Sequence, residues 1–158
     1  MKLTFFLNGA EREVEIAPTE ILLEVLREKL RVTSIKRGCE NGECGACIVL
    51  MDGRPVNSCL CLAVRAQGKC LTTVEGLGSP ASLDVLQQCF VECGAFQCGF
   101  CASGVILVSK ALLEENPDPS EQEIRRYIEG NLCRCTGYVK IIEAIQLAAK
   151  RLKPGGRV

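Results

Sequence analysis

The sequence predicts an α+β protein in two parts, a mixed unit of strands and one helix followed by a set of four helices. Three observations predict it. Short β-prone runs and turn dipeptides crowd roughly the first 75 residues. The stretch Glu75-Gly76-Leu77-Gly78-Ser79-Pro80 then reads as a linker. Beyond it, apolar residues recur at helical spacing. The expected division is residues 1–76 and 77–158. At 158 residues and 47% hydrophobic, the chain fits one ordinary domain or two small ones, with enough apolar material for a core.

The elements follow in order. Residues 3–7 and 12–16 read as strands, and Asn8-Gly9 between them makes a hairpin the expected connection. Thr19 can cap a helix whose apolar face is Ile21, Leu22, Val25, Leu26 and Leu30. The loop from Lys36 to Cys47 comes next. Ile48–Met51 reads as a strand, Asp52-Gly53 as a turn, Pro55 to Leu62 as a return segment, and Leu71–Val74 as a last short strand. The helices are expected over 81–93 and 102–114, then from the capping box Ser120-x-x-Glu123 to Gly130, then over 138–152. Four helices of this size suggest a small bundle. The tail from Lys153 to Val158 is expected to be loose.

Charge and targeting signals exclude several function classes. Lys+Arg and Asp+Glu balance at 19 each, so nothing points to nucleic acid or an anionic membrane. The apolar run at the N-terminus is too short for a signal-peptide core. No stretch approaches the roughly 18 apolar residues of a membrane helix. A cytoplasmic location is expected. In a reducing cytosol, twelve cysteines favour metal ligation over disulfides.

Eight of those cysteines form two sets of four. The first is Cys39-x4-Cys44-x2-Cys47, followed by Cys59. This is the plant-type spacing, in which four thiolates hold a [2Fe–2S] cluster. Such a cluster needs backbone N–H groups aimed at sulfur and a close wrap of chain, which Gly38, Gly42 and Gly45 permit. Three cysteines and three glycines within residues 38–47 argue against incidental placement. Cys61 competes with Cys59 as fourth ligand. In a strand the two share a face, so alternation does not choose between them. The second set is Cys98-x2-Cys101 with Cys133-x-Cys135, placed in two interhelical loops at one end of the bundle. The chain has no histidine, and a four-cysteine zinc site is the rival for this set. Cys61, Cys70, Cys89 and Cys93 read as small buried hydrophobes. Two clusters in one small chain imply an electron carrier with a donor and an acceptor.

Three motifs carry a family resemblance: Gly38-Cys39-x-x-Gly42-Glu43-Cys44-Gly45-Ala46-Cys47, Gln97-Cys98-Gly99-Phe100-Cys101, and Gly130-Asn131-Leu132-Cys133-Arg134-Cys135-Thr136-Gly137-Tyr138. In order, and over nearly the whole chain, they resemble the iron–sulfur subunit of the molybdenum hydroxylases, the xanthine dehydrogenase, aldehyde oxidoreductase and carbon monoxide dehydrogenase family. The resemblance implies an N-terminal β-grasp ferredoxin-like domain and a C-terminal four-helix domain. It implies two [2Fe–2S] clusters. Cys39, Cys44, Cys47 and Cys59 would hold the one nearer the flavin. Cys98, Cys101, Cys133 and Cys135 would hold the one nearer molybdenum. It favours Cys59 over Cys61, gives Gln97 a hydrogen bond to the pterin, and sets Cys135 on the path toward it.

Electrons would then run from molybdopterin on a large subunit to FAD on a medium subunit. Because the chain stops after its helices, those cofactors are expected on separate polypeptides. A xanthine dehydrogenase-like hydroxylase is the first reading. Carbon monoxide dehydrogenase, nicotinate or aldehyde dehydrogenase, aromatic acyl-CoA reductase and a free-standing ferredoxin-like carrier are the alternatives. The sequence departs from the family at Ala102-Ser103-Gly104, where Thr-Pro-Gly is usual, so Ser103 is expected to serve near the helix start.

Overall fold

A computed structural model describes residues 1–153. Strands β1 (Lys2–Leu7) and β2 (Ala10–Glu15) form an antiparallel hairpin with Leu7 opposite Ala10. Its turn residues Asn8 and Gly9 have φ of 51° and 80°. Asp52 and Gly53 repeat this geometry between β3 (Ile48–Met51) and β4 (Arg54–Asn57). Two left-handed residues match the right-handed twist of the flanking strands. With β5 (Cys70–Thr72) the strands form one sheet of order β2-β1-β5-β3-β4, in which β1 and β5 run parallel.

Helix α1 (Leu22–Glu24) widens into a π-helical turn, Val25–Lys29, closed by the Leu30 N–H on the Val25 carbonyl. It buries Leu22, Leu23, Val25 and Leu26. Thr19 does not cap it. Ile21 takes that position, and the Leu22 N–H bonds the Cys61 carbonyl at 2.7 Å, so a tertiary contact replaces the expected side-chain cap. The return segment is a strand only to Asn57; Ser58–Leu60 is a 3₁₀ turn. Cys59 and Cys61 therefore do not share a strand face.

The helices beyond the linker are α2 (Val85–Glu92), α3 (Ala102–Glu115), α4 (Glu121–Ile128) and α5 (Val139–Leu152). Helix α2 starts four residues later than expected because Asp84 and Gln87 form a capping box. Ser120 and Glu123 cap α4 as their spacing predicts. In the expected loose tail, Lys153 pairs with Asp118 at 2.7 Å; residues 154–158 lie outside the described residues.

The described residues form two hydrophobic cores, one under α1 and the sheet, the other among α2–α5. They meet across β3. Val49 packs into the first, while Ile48 and Leu50, on the opposite face, pack into the second. Strand β3 is thus buried on both faces, and α3 lies on it. With five strands and five helices among the described residues, the chain is α+β. No helix among them is long and apolar enough to cross a membrane.

Candidate metal centres

The loop before β3 turns inward on itself. Glu40, Gly42 and Gly45 take φ of 58°, 86° and 68°. Successive turns of this kind aim backbone N–H groups into a common concavity. Cys39 Sγ accepts N–H groups from Asn41, Glu43 and Cys44 at 3.3–3.5 Å, and Cys44 Sγ accepts the Cys39 N–H at 3.4 Å. These donors, the Asn41 N–H foremost, bring the Cys39 thiol down to about 6. Burial, reinforced by the neighbouring Cys47 sulfur, pushes Cys59 up to about 11. Cys39 thus meets Cys44, and Cys47 meets Cys59. The wrap is close: a Cβ at Gly38 would lie 2.6 Å from Cys44 Sγ.

Two polar residues that sequence reasoning missed secure this loop. Asn57 Nδ2 donates to the Gly42 carbonyl at 3.1 Å. Ser58 Oγ, fully buried, donates to the Cys47 carbonyl at 2.6 Å. The only signal in the sequence is their position at the end of a strand. Cys61 instead turns toward the Leu62 carbonyl.

The second set gathers between the α2–α3 and α4–α5 loops. Cys98 Sγ lies 3.6 Å from Cys135 Sγ, and Cys101, at the start of α3, meets Cys133. Burial, helped by Cys133, pushes Cys101 up to about 12. Burial also opposes a Cys133 thiolate, but the Thr136 hydroxyl at 3.2 Å and N–H at 3.5 Å outweigh it and hold that thiol at about 7. Cys98 and Cys135 are exposed, and Phe96, Phe100, Leu132 and Val139 stand exposed in the same loops and at the start of α5. Gln97 Nε2 donates to the Cys135 carbonyl at 3.1 Å.

The two loops touch. The Leu132 N–H bonds the Cys44 carbonyl at 3.0 Å, and the buried Asn131 Nδ2 donates to the Gly45 carbonyl at 3.1 Å. At the α3 start, Ser103 Oγ donates to the Ser34 carbonyl at 2.8 Å, which ties the helix to the first loop where the usual family proline would have no hydroxyl. Of the remaining cysteines, Cys61 and Cys89 are buried and Cys93 half-buried, but Cys70 is exposed, so burial does not account for it.

The donor set fits a binuclear cluster. Each iron of a [2Fe–2S] centre takes two thiolates, and each set presents two pairs.

Two family models match in tandem, the 2Fe-2S iron-sulfur cluster binding domain over residues 5–75 and the [2Fe-2S] binding domain over residues 73–146. The nicotinate dehydrogenase small FeS subunit of Eubacterium barkeri is 49% identical over 92% of this chain and 92% of its own length. A probable xanthine dehydrogenase subunit of Bacillus subtilis (strain 168) is 43% identical over 95% and 86%. Among solved structures, quinoline 2-oxidoreductase from Pseudomonas putida 86 superposes with a TM-score of 0.93 at 43% identity, over 99% of this chain and 98% of that one. The aldehyde oxidoreductase from Desulfovibrio desulfuricans ATCC 27774 gives 0.95 at 41% identity; 99% of this chain covers 18% of that longer one.

Proposed function

The chain belongs to the [2Fe–2S] small-subunit family of the molybdenum hydroxylases, and from that premise we propose that it carries electrons from a molybdopterin site, through two [2Fe–2S] clusters, to FAD. It is an iron–sulfur, electron-transfer subunit of an oxidoreductase. The observation that carries the proposal is the contact between the two cysteine loops, through Leu132 and Cys44.

Residues 1–76 form the β-grasp ferredoxin-like domain in this reading, and residues 77–158 the four-helix domain. Cys39, Cys44, Cys47 and Cys59 hold the first cluster; Cys98, Cys101, Cys133 and Cys135 hold the second. The tandem family models and the pairing of the thiols support that assignment. When bound, each cluster supplies a one-electron carrier. The chain's own residues supply ligation, N–H donors to sulfur, and a fixed spacing. Donors favour the more negative reduced state, so the loop around Cys39 and the loop around Cys133 set different potentials. The exposed edge at Cys98 and Cys135, with its apolar residues, is the side that would face the molybdopterin-bearing large subunit. Gln97, whose amide Nε2 holds the Cys135 carbonyl there, would hydrogen-bond the pterin, and Cys135 would lie on the path toward it. FAD would sit on a medium subunit, and the complex would work in the cytoplasm. A xanthine dehydrogenase-like or a nicotinate-type hydroxylase suits the relatives' names equally.

The test is rapid mixing of the assembled complex with purine, nicotinate and aldehyde substrates, reading bleaching of the cluster absorbance. One substrate class should bleach both clusters within a turnover. Gln97→Ala should keep its iron and bleach more slowly. Clusters that no substrate reduces in a complex retaining its pterin would refute the electron route.

A further inference from the structure

Tyr138 stands where the backbone disfavours it. Its φ is +69°, directly after Gly137 at +64°, and together they turn the chain into α5. Glycine adopts that conformation without steric cost, whereas a residue with a Cβ is strained there. No backbone reason therefore explains a tyrosine, and its side chain must. The ring is half-buried and reaches back over the second cysteine loop. The hydroxyl accepts the Cys133 N–H at 2.8 Å and donates to the Asn131 carbonyl at 3.1 Å. Its own N–H is taken by Thr136 Oγ1 at 3.2 Å, the hydroxyl that also touches Cys133 Sγ.

Residues 131–133 are therefore pinned from both sides. Tyr138 holds them toward α5. Asn131 and Leu132 hold them to Gly45 and Cys44 of the first loop. The Cys133 N–H is also withheld from sulfur, because the tyrosine oxygen occupies it.

We propose that Tyr138 is a positioning residue for the second cluster: its hydroxyl fixes the Cys133 backbone and keeps that N–H off the sulfurs, which holds the second cluster's potential low. The proposal rests on the two-cluster reading above. Loss of the hydroxyl releases a donor and loosens the loop to water. Both changes stabilise the added negative charge of the reduced cluster, so the potential rises.

The experiment is a redox titration of the full cluster-bearing chain, followed by electron paramagnetic resonance, for wild type and Tyr138→Phe. Phenylalanine keeps the ring and the strained backbone and removes only the hydroxyl. The second cluster's midpoint should move to a less negative value while the first stays put. Amide hydrogen exchange in the peptide covering residues 131–135 should become about fivefold faster, as loss of one such hydrogen bond implies. A variant that loses only the second cluster supports the proposal too, since the loop is then no longer held. Unchanged potential and exchange would overturn it, and so would loss of both clusters together, which would make Tyr138 a residue of the whole fold. A wild-type chain without two such centres would instead sink the parent reading before the variant is made.

Discussion

Gly45→Ala tests the contact between the two cysteine loops. Gly45 has φ of +68°, where a Cβ costs about 1–2 kcal/mol. The added methyl would lie 2.5 Å from Asn131 Nδ2 and press on the Gly130 carbonyl, which is backbone. Overpacking of that kind adds about 1–3 kcal/mol. Together these predict about 2–5 kcal/mol of destabilisation. For a chain of this size that is a fall of about 10 °C in Tm. Gly9→Ala is the matched control, with φ of +80° and nothing within 4 Å of its Cβ, so only the conformational cost applies. Thermal melts of the two variants beside wild type make the comparison. A Gly45→Ala melt no lower than that of Gly9→Ala would refute the reasoning, because the loops would then not be in tight contact.

Cys44→Ser should lose the first cluster's resonance signal and Cys101→Ser the second's, while Cys61→Ser, Cys70→Ser and Cys89→Ser keep both; the ligand assignment is falsified if Cys61→Ser removes the first signal and Cys59→Ser spares it. The Arg151 guanidinium, bonded to both Glu92 oxygens at 2.9 and 2.7 Å, holds the Glu92 carboxyl below its ordinary 4.5. A depressed carboxyl stabilises the fold above its ordinary value and loses that effect as pH falls. Denaturant melts should therefore show Glu92→Gln weaker than wild type at pH 7, with the gap closing as pH falls below the ordinary 4.5; a gap that persists in acid would contradict the ion-pair account.

Much of this architecture is legible in the sequence because its signals are local. Asn8-Gly9 and Asp52-Gly53 dictate their turns, Ser120 and Glu123 their helix start, and the cysteine spacings their two sets. What escapes the sequence is set by tertiary contacts. Thr19 has no capping role because the Cys61 carbonyl reaches Leu22 from far along the chain, a contact visible only in the fold. Asn57 and Ser58 belong to no motif, yet they hold the first loop through Gly42 and Cys47. Tyr138 closes a recognisable motif, but its strain and its hold on Cys133 exist only in three dimensions. Gln97 lies beside the exposed cysteine edge, as its place before Cys98 implies, while its bond to Cys135 depends on two distant loops meeting.

The central claim is that two unlike cysteine sets each hold one binuclear iron–sulfur centre. Iron and acid-labile sulfide analysis of the purified chain, with electron paramagnetic resonance after reduction, tests it most directly. The account predicts about four irons and four sulfides per chain, and two distinct signals that titrate at different potentials. Zinc in place of iron, or one signal accounting for all the iron, would contradict it.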